Sequence, residues 1–188
     1  MPGLRITGGS LRGRRVALPG TELRPTSERA RQAFFNIVQR RLAGARFLDL
    51  FAGSGVFSLE ALSRGAISAV AIDHSPQAAQ SLTRLASELN VAVRVMEADV
   101  FSGMKRLQNE QFDLIYADPP FDFPRHQHLL EAVDTGGSLA DDSIVAIEHG
   151  ASTRPFSSDG LERLQHWKTV RYGEIFIALF ESRNEPES

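Results

Sequence analysis

The chain has 188 residues, 42% of them hydrophobic, which is enough for one well-buried core and short for two, and its lack of cysteine excludes disulfides and thiolate metal sites. No apolar stretch approaches the roughly 20 residues of a membrane span and no apolar leader core follows the basic start, so the expectation is a soluble cytoplasmic monomer that meets no membrane. The formal net charge of −2 divides unevenly: residues 1–46 hold ten arginines against Glu22 and Glu28, a net of +8, which leaves −10 on residues 47–188.

That segregation favours a polyanionic partner at the N-terminal end, since fixed positive charge displaces counterions from phosphates. A solvated arginine surface is the plain alternative, in a chain whose only lysines are Lys105 and Lys168. Leu4-Arg5-Ile6 and the run Ser10 to Leu18 predict two short strands around the hairpin pair Gly8-Gly9, and carry Arg5, Arg12, Arg14 and Arg15. A loop with Pro19, Gly20 and Pro25 leads to Thr26 or Ser27 as a helix N-cap. Ala30, Phe34, Ile37, Val38 and Leu42 then recur at helical steps as far as Gly44, and Arg29, Arg31, Arg40 and Arg41 fall in part on the opposite face.

From Phe47 short apolar runs alternate with helical ones, the pattern of a parallel sheet with crossover helices. Strands are predicted at Phe47–Leu50, Ala69–Ile72, Val91–Met96, Phe112–Ala117 and Ser143–Glu148. Helices are predicted at Val56–Arg64, after Ser75-Pro76 with the stripe Ala79, Leu82, Leu85, Ala86 and Leu89, and at Pro124–Val133. His166–Tyr172 and Glu174–Phe180 are separated only by Gly173, which requires an antiparallel pair. Trp167 and Phe176 in that hairpin are assigned to core packing. The chain thus reads as one α/β domain: a basic hairpin and loop over 1–26, a helix over 27–44, a catalytic core over 46–182 and a polar, disordered tail over 183–188.

Leu48-Asp49-Leu50-Phe51-Ala52-Gly53-Ser54-Gly55 sits where the first sheet strand meets its helix, the place where a doubly wound sheet opens its crevice. Gly53 and Gly55 allow close backbone approach, and the helix N-terminus beyond them supplies oriented amides. A dinucleotide fingerprint wants a third glycine at 58, which is Ser58, and does not call for Asp49. Asp49 instead suits the ammonium of an amino-acid moiety such as S-adenosylmethionine carries, with bracing of the loop as its structural alternative. Asp73, ending the next strand about 20 residues on, suits the two ribose hydroxyls of an adenosine. Asp99, with the Val100 amide, suits the adenine edge. Together with Asp118 they form four acids at four successive strand ends.

Asp118-Pro119-Pro120-Phe121 follows the strand Phe112–Ala117 directly. A carboxylate and the Pro119 carbonyl can accept both hydrogens of one exocyclic NH₂ group, Pro119 and Pro120 stiffen the backbone, and Phe121 offers a face for a base. His126 and His128 are two apart and so face different ways on a helix, which argues against a metal site. Glu148 stands at a strand end, where bordering a substrate pocket and capping a turn are equal readings.

Taken together the chain resembles the bacterial small-subunit ribosomal RNA guanine-N2 methyltransferases of the RsmD type. The resemblance rests on Arg5-Ile6-Thr7-Gly8-Gly9 with Arg12-Gly13-Arg14, Leu23-Arg24-Pro25-Thr26 with Arg29, Arg31, Phe35 and Asn36, Asp49 to Gly55 with Leu59-Glu60-Ala61-Leu62-Ser63-Arg64-Gly65, Asp118 to Phe121, and Tyr172-Gly173. It implies a Rossmann-like methyltransferase fold, with a mostly parallel seven-stranded sheet, an antiparallel C-terminal edge hairpin, and a small N-terminal hairpin and helix. It further implies S-adenosylmethionine as donor, S-adenosylhomocysteine as product, and methylation of a guanine amine in 16S rRNA or the small ribosomal subunit. No metal is called for, because the leaving group is a neutral thioether. The expected cofactor residues are Asp49, Phe51, Ala52, Gly53, Ser54, Gly55, Asp73, His74, Asp99, Val100 and Asp118. Expected RNA contacts are Arg5, Arg12, Arg14, Arg15, Arg24, Thr26, Arg29, Arg31 and Asn36. His74, where an acid or asparagine is common, and the short tail after Phe180 depart from the pattern. A DNA or protein amine methyltransferase with the same cofactor site, and a non-catalytic RNA-binding assembly protein, are the competing readings.

Overall fold

The computed structural model describes residues 3–17, 28–120 and 122–183. Strands β1 (Gly3–Arg5) and β2 (Arg15–Ala17) pair antiparallel as a separate two-stranded ribbon. Helix α1 (Glu28–Ile37) is followed by a 3-10 turn at Gln39–Arg41. The main sheet is built from β3 (Arg46–Leu50), β4 (Ser68–Asp73), β5 (Val93–Glu97), β6 (Phe112–Ala117), β7 (Leu139–Gly150), β8 (Leu164–Tyr172) and β9 (Ile175–Ser182). Its order is β5-β4-β3-β6-β7-β9-β8, parallel throughout except for β9, which runs antiparallel to both β7 and β8. The seven-stranded sheet with an antiparallel edge hairpin is therefore as the sequence predicts.

Alternation along the strands explains why both faces are covered. Phe47, Ala69, Ala71, Leu114, Tyr116, Ile144 and Ala146 point to one face, where they meet α1, α2 (Val56–Ser63) and α3 (Pro76–Leu89). Leu48, Leu50, Val70, Ile72, Ile115, Ala117, Val145 and Ile147 point to the other, beneath α4 (Val100–Arg106) and α5 (His126–Thr135). On the first face Phe34 and Phe57 close on Tyr116, with ring centroids 4.6 and 3.9 Å away. The apolar faces of the helices thus fix where each βα connection leaves the sheet.

Several local expectations are corrected. Gly8-Gly9 is not the hairpin turn: the ribbon is closed by a longer loop in which Gly13 N–H donates to Ile6 O and Ile6 N–H to Arg14 O. The glycine pair instead lets this loop touch the end of α2. A Cβ on Gly9, at φ 75°, would lie 1.7 Å from Ser63 O. Helix α4, not foreseen, contains Gly103 because a Cβ there would sit 2.9 Å from Ile72. The fifth sheet strand begins earlier than predicted, at Leu139, and α5 starts two residues later than predicted. Trp167 does not pack in the core: the β8–β9 register skips it between His166 and Lys168, leaving it 39% exposed with Lys168 Nζ 3.9 Å from its ring.

Candidate active site

Strand register gathers the acids at one edge. Leu50, Ile72, Ala117 and Ile147 lie on one level across β3, β4, β6 and β7. Asp73, Asp118 and Glu148 stand one residue beyond that level and Asp49 one residue below it. By strand alternation all four belong to the face covered by α1, α2 and α3. Asp99 lies two residues past the end of β5. The four predicted strand-end acids are therefore neighbours along the C-terminal edge of contiguous strands, the position where open α/β sheets form a crevice.

The loop between β3 and α2 is held in a conformation few sequences allow. Phe51, Gly53 and Gly55 have φ of 63°, 52° and 71°. A Cβ on Gly55 would lie 2.2 Å from Leu82 Cδ1 on α3, so glycine is required there by space as well as by angle. Ala52 N–H donates to Ile72 O (3.0 Å), and Gly53 N–H donates to Asp73 Oδ2 (2.7 Å). Asp73 Oδ1 accepts from Ser75 N–H (2.8 Å), and Ser75 Oγ caps α3 at Ala78 N–H (3.3 Å). Asp73 thus ties the glycine loop to the start of α3. Ala52 and Ser54 are half-buried beside it, while the His74 side chain is 77% exposed and its Nδ1 stands 3.8 Å from Asp73.

Asp49 is 2% exposed, and its Oδ2 accepts from both Ser58 N–H (3.0 Å) and Ser58 Oγ–H (2.7 Å) in the first turn of α2. Burial pushes its pKa up to about 7, opposed by the two Ser58 hydrogen bonds and reinforced by the negative charges of Asp118 and Asp73. Asp49 therefore braces the loop, and it is also a buried acid whose ionisation an arriving cation would favour. Asp99 is exposed and caps α4, with Oδ1 accepting from Phe101 N–H (3.1 Å) and Ser102 N–H (3.3 Å), and Val100 behind it is buried.

Asp118 is half-buried, Pro119 buried and Pro120 exposed, and Phe121 lies outside the described residues. Asp118 N–H donates to Leu50 O (3.3 Å), which joins this turn to the strand that leads into the glycine loop. Phe123 N–H donates to Pro120 O (2.8 Å) and closes the turn. Behind Asp118, Glu148 is 5% exposed and accepts a hydrogen bond from the Tyr116 hydroxyl. Glu148 does not end its strand as the sequence suggests, since β7 continues to Gly150, so it caps no turn. Sequence reasoning missed Phe123, whose ring lies 5.2 Å from Phe51 and 6.5 Å from Phe101, and Arg125, whose guanidinium covers Phe101 at 4.5 Å. Their only sequence mark is closeness to the double proline.

The arginines divide. Arg5, Arg12, Arg14, Arg15, Arg29 and the nearby Asn36 are exposed. Arg12 and Arg14 sit in the loop anchored to Ser63, at the end of α2 away from the glycine loop, through Ser10 N–H to Ser63 O (2.8 Å) and Leu11 N–H to Ser63 Oγ (2.8 Å). Arg24 and Thr26 lie outside the described residues. Arg31 is corrected: it is fully buried, its Nε donating to Glu60 Oε2 (3.2 Å) and its Nη2 to Arg5 O (2.7 Å). Glu60, also fully buried, further accepts from Arg64 (2.8 and 2.9 Å) and from Thr7 N–H. This knot locks the N-terminal loop and α1 to α2, so Arg31 is a structural cation rather than a phosphate contact. A separate cleft of about 800 Å³, lined by residues such as Arg46, Val70, Arg94 and Glu110, opens at the opposite edge of the sheet and contains none of the predicted site residues.

Residues 4–181 match the family described as Conserved hypothetical protein 95. Ribosomal RNA small subunit methyltransferase D of Escherichia coli strain K12 is 33% identical over 194 residues, covering 98% of this chain and 93% of that protein. The protein of the same name from Haemophilus influenzae is 29% identical, covering 77% and 78%. The solved structure of yhhF from Escherichia coli matches with a TM-score of 0.85 and 28% identity, covering 98% of this chain and all of that one. TTHA0928 of Thermus thermophilus matches at 0.80 with 25% identity, covering 94% and 98%. With the acid edge, the glycine loop and the Asp-Pro-Pro turn in these positions, the chain belongs to the ribosomal RNA small subunit methyltransferase D family.

Proposed function

We propose that this chain transfers a methyl group from S-adenosylmethionine to the exocyclic N2 amine of one guanine in 16S rRNA, at the C-terminal edge of its sheet. The observation that carries the reading is the adjacency of the Asp118-Pro119 turn to the glycine loop, tied by Asp118 N–H to Leu50 O at 3.3 Å. An acceptor pair suited to an NH₂ group thus stands beside a loop suited to an amino-acid nucleoside.

The residues present fit that cofactor. Its ammonium and sulfonium are cationic, and the negative charges of Asp118 and Asp73 both reach Asp49 at this edge. Asp73 keeps lone pairs beyond the two amides it accepts, available to ribose hydroxyls. Bound there, S-adenosylmethionine supplies a methyl group activated by its sulfonium.

The chain's own part is positioning. Asp118 and the Pro119 carbonyl accept the two amine hydrogens, which draws the nitrogen toward a pyramidal shape and aims its lone pair. Pro119 and Pro120 keep the acceptors from drifting, and such near-attack placement lowers the barrier by several kcal/mol. Asp118 is the acceptor for the proton that the nitrogen loses. The guanine is unstacked to reach this turn, with Phe121 as the platform for its ring. Arg5, Arg12, Arg14, Arg15, Arg24 and Arg29 are assigned to phosphates, and Thr26 and Asn36 to the target base or the cofactor's methionine end.

The test incubates the protein with methyl-labelled S-adenosylmethionine and either naked 16S RNA or small subunits from a strain lacking the enzyme, then maps the product by mass spectrometry. Label in a single N2-methylguanosine is the expected result. Label in another base or in ribosomal protein would overturn the reading.

A further inference from the structure

We infer that Glu148 is a positioning residue for methyl transfer: its carboxyl group, fixed by the Tyr116 hydroxyl, donates the hydrogen bond that orients the Asp118 carboxylate toward the substrate amine. This deepens the function proposed above and rests on its assignment of Asp118.

The juxtaposition comes from strand register. β7 lies beside β6 with Ala146 opposite Tyr116 and Ile147 opposite Ala117, so Glu148 comes opposite Asp118 on the same face, where the charge of Asp118 acts on its carboxyl group. Glu148 also accepts the Tyr116 hydroxyl at Oε1. Tyr116 is itself fully buried and stacked on Phe57 at 3.9 Å. The neighbour of Glu148 on β9 is Ile177, fully buried and apolar, so β9 brings no cation opposite it.

Two carboxyl groups set side by side, one of them buried, resist ionising together and keep a proton between them. Glu148 is the deeper, at 5% exposure, while Asp118 is half-buried and closer to solvent. The proton therefore resides on Glu148, in keeping with burial and the charge of Asp118, which hold its carboxyl well above the usual range, against the opposing Tyr116 hydrogen bond. The resulting relay runs from the Tyr116 O–H to Glu148, and from the Glu148 O–H to Asp118. It engages one oxygen of Asp118 and leaves the other directed at the amine. A carboxylate without that support would rotate about its last torsion, and catalytic acceptors lose rate steeply when loosely held.

Three variants test this: Glu148→Ala, Glu148→Gln and Asp118→Ala, each assayed for thermal unfolding, S-adenosylhomocysteine affinity, and kcat and KM with the RNA substrate. Glu148→Ala should lower kcat about 10- to 100-fold while cofactor affinity stays within about twofold, since a hydrogen bond to a charged group is lost but the cofactor contacts are not. Glu148→Gln can donate to Asp118 through its amide and accept from Tyr116 through its carbonyl, and should restore kcat to within about threefold of the unaltered protein. An Ala variant with unaltered kcat, or a Gln variant as slow as the Ala variant, overturns the inference. If Asp118→Ala stays active, the assignment of Asp118 itself fails; if Asp118→Ala is inactive while Glu148→Ala turns over normally, only the role of Glu148 fails.

Discussion

Asp49 offers a quantitative test of how the cofactor is held. Burial raises its pKa from 3.8 to about 7, so the free protein binds more protons at this site than the unfolded chain between those values. The sign is that of a raised carboxylate: its contribution to stability is fullest below pH 3.8 and declines as pH rises through 7, a difference on the order of 4 kcal/mol. An ammonium placed beside the carboxylate reverses this preference and favours the ion. S-adenosylhomocysteine, which carries the same ammonium, should therefore expel a proton on binding. At pH 6 a group with pKa 7 is about nine-tenths protonated, so roughly 0.9 proton should be released per site, falling to about 0.1 at pH 8. Affinity should weaken about tenfold from pH 8 to pH 6, equivalent to ~1.4 kcal/mol. Isothermal titration in buffers of different ionisation enthalpy measures the release directly. Asp49→Asn, which keeps an oxygen for Ser58 but carries no titrating charge, should abolish it. Equal proton release in both proteins, or none in the unaltered protein at pH 6, would refute a direct pairing.

Other substitutions probe the scaffold. Gly55→Ala forces a φ of 71° on an alanine and drives its Cβ into Leu82, which should cost about 2–4 kcal/mol in urea unfolding; a loss under ~0.5 kcal/mol would show that the loop has room to relax. Arg31→Met removes the contacts to Glu60 and Arg5, but Arg64 and Thr7 still satisfy Glu60, so the expected destabilisation is about 2–4 kcal/mol with the salt dependence of RNA binding unchanged. Arg12→Ala and Arg14→Ala should do the reverse, leaving stability unaltered and lowering the slope of log affinity against log salt by about 1 each. Equal salt slopes in all these variants would remove the exposed arginines from the RNA surface.

The sheet was legible because its strands are short apolar runs between breakers: Phe112–Ala117 is predicted to the residue, and Gly173 alone requires the final antiparallel pair. The acid edge was legible for the same reason, since strand ends on neighbouring parallel strands come together in space. What escaped depends on contacts distant in sequence. Gly103 hides α4 because its need arises from Ile72 on another element, and Gly8-Gly9 serves an approach to Ser63 that no local pattern reveals. Arg31 carried a mark that could have been read: residues 31, 34, 35 and 38 form one helical stripe, and Arg31 shares it with Phe34, Phe35 and Val38. Its partner Glu60 sits in the apolar run from Val56 to Leu62, so a cation in one buried stripe and an anion in another announced the pair. The Glu148–Asp118 contact needed the β6–β7 register, which composition does not contain.

The central claim is that Asp118 acts on the substrate amine during methyl transfer, beyond its share in the negative charge that faces the cofactor. Asp118→Ala, with S-adenosylhomocysteine affinity and labelled methyl transfer to the RNA substrate measured on one preparation, tests it most directly. The expected result is an affinity within about threefold of the unaltered protein and turnover reduced at least about a thousandfold. Methyl transfer at a rate near that of the unaltered protein would contradict it, as would a loss of activity explained wholly by lost cofactor binding.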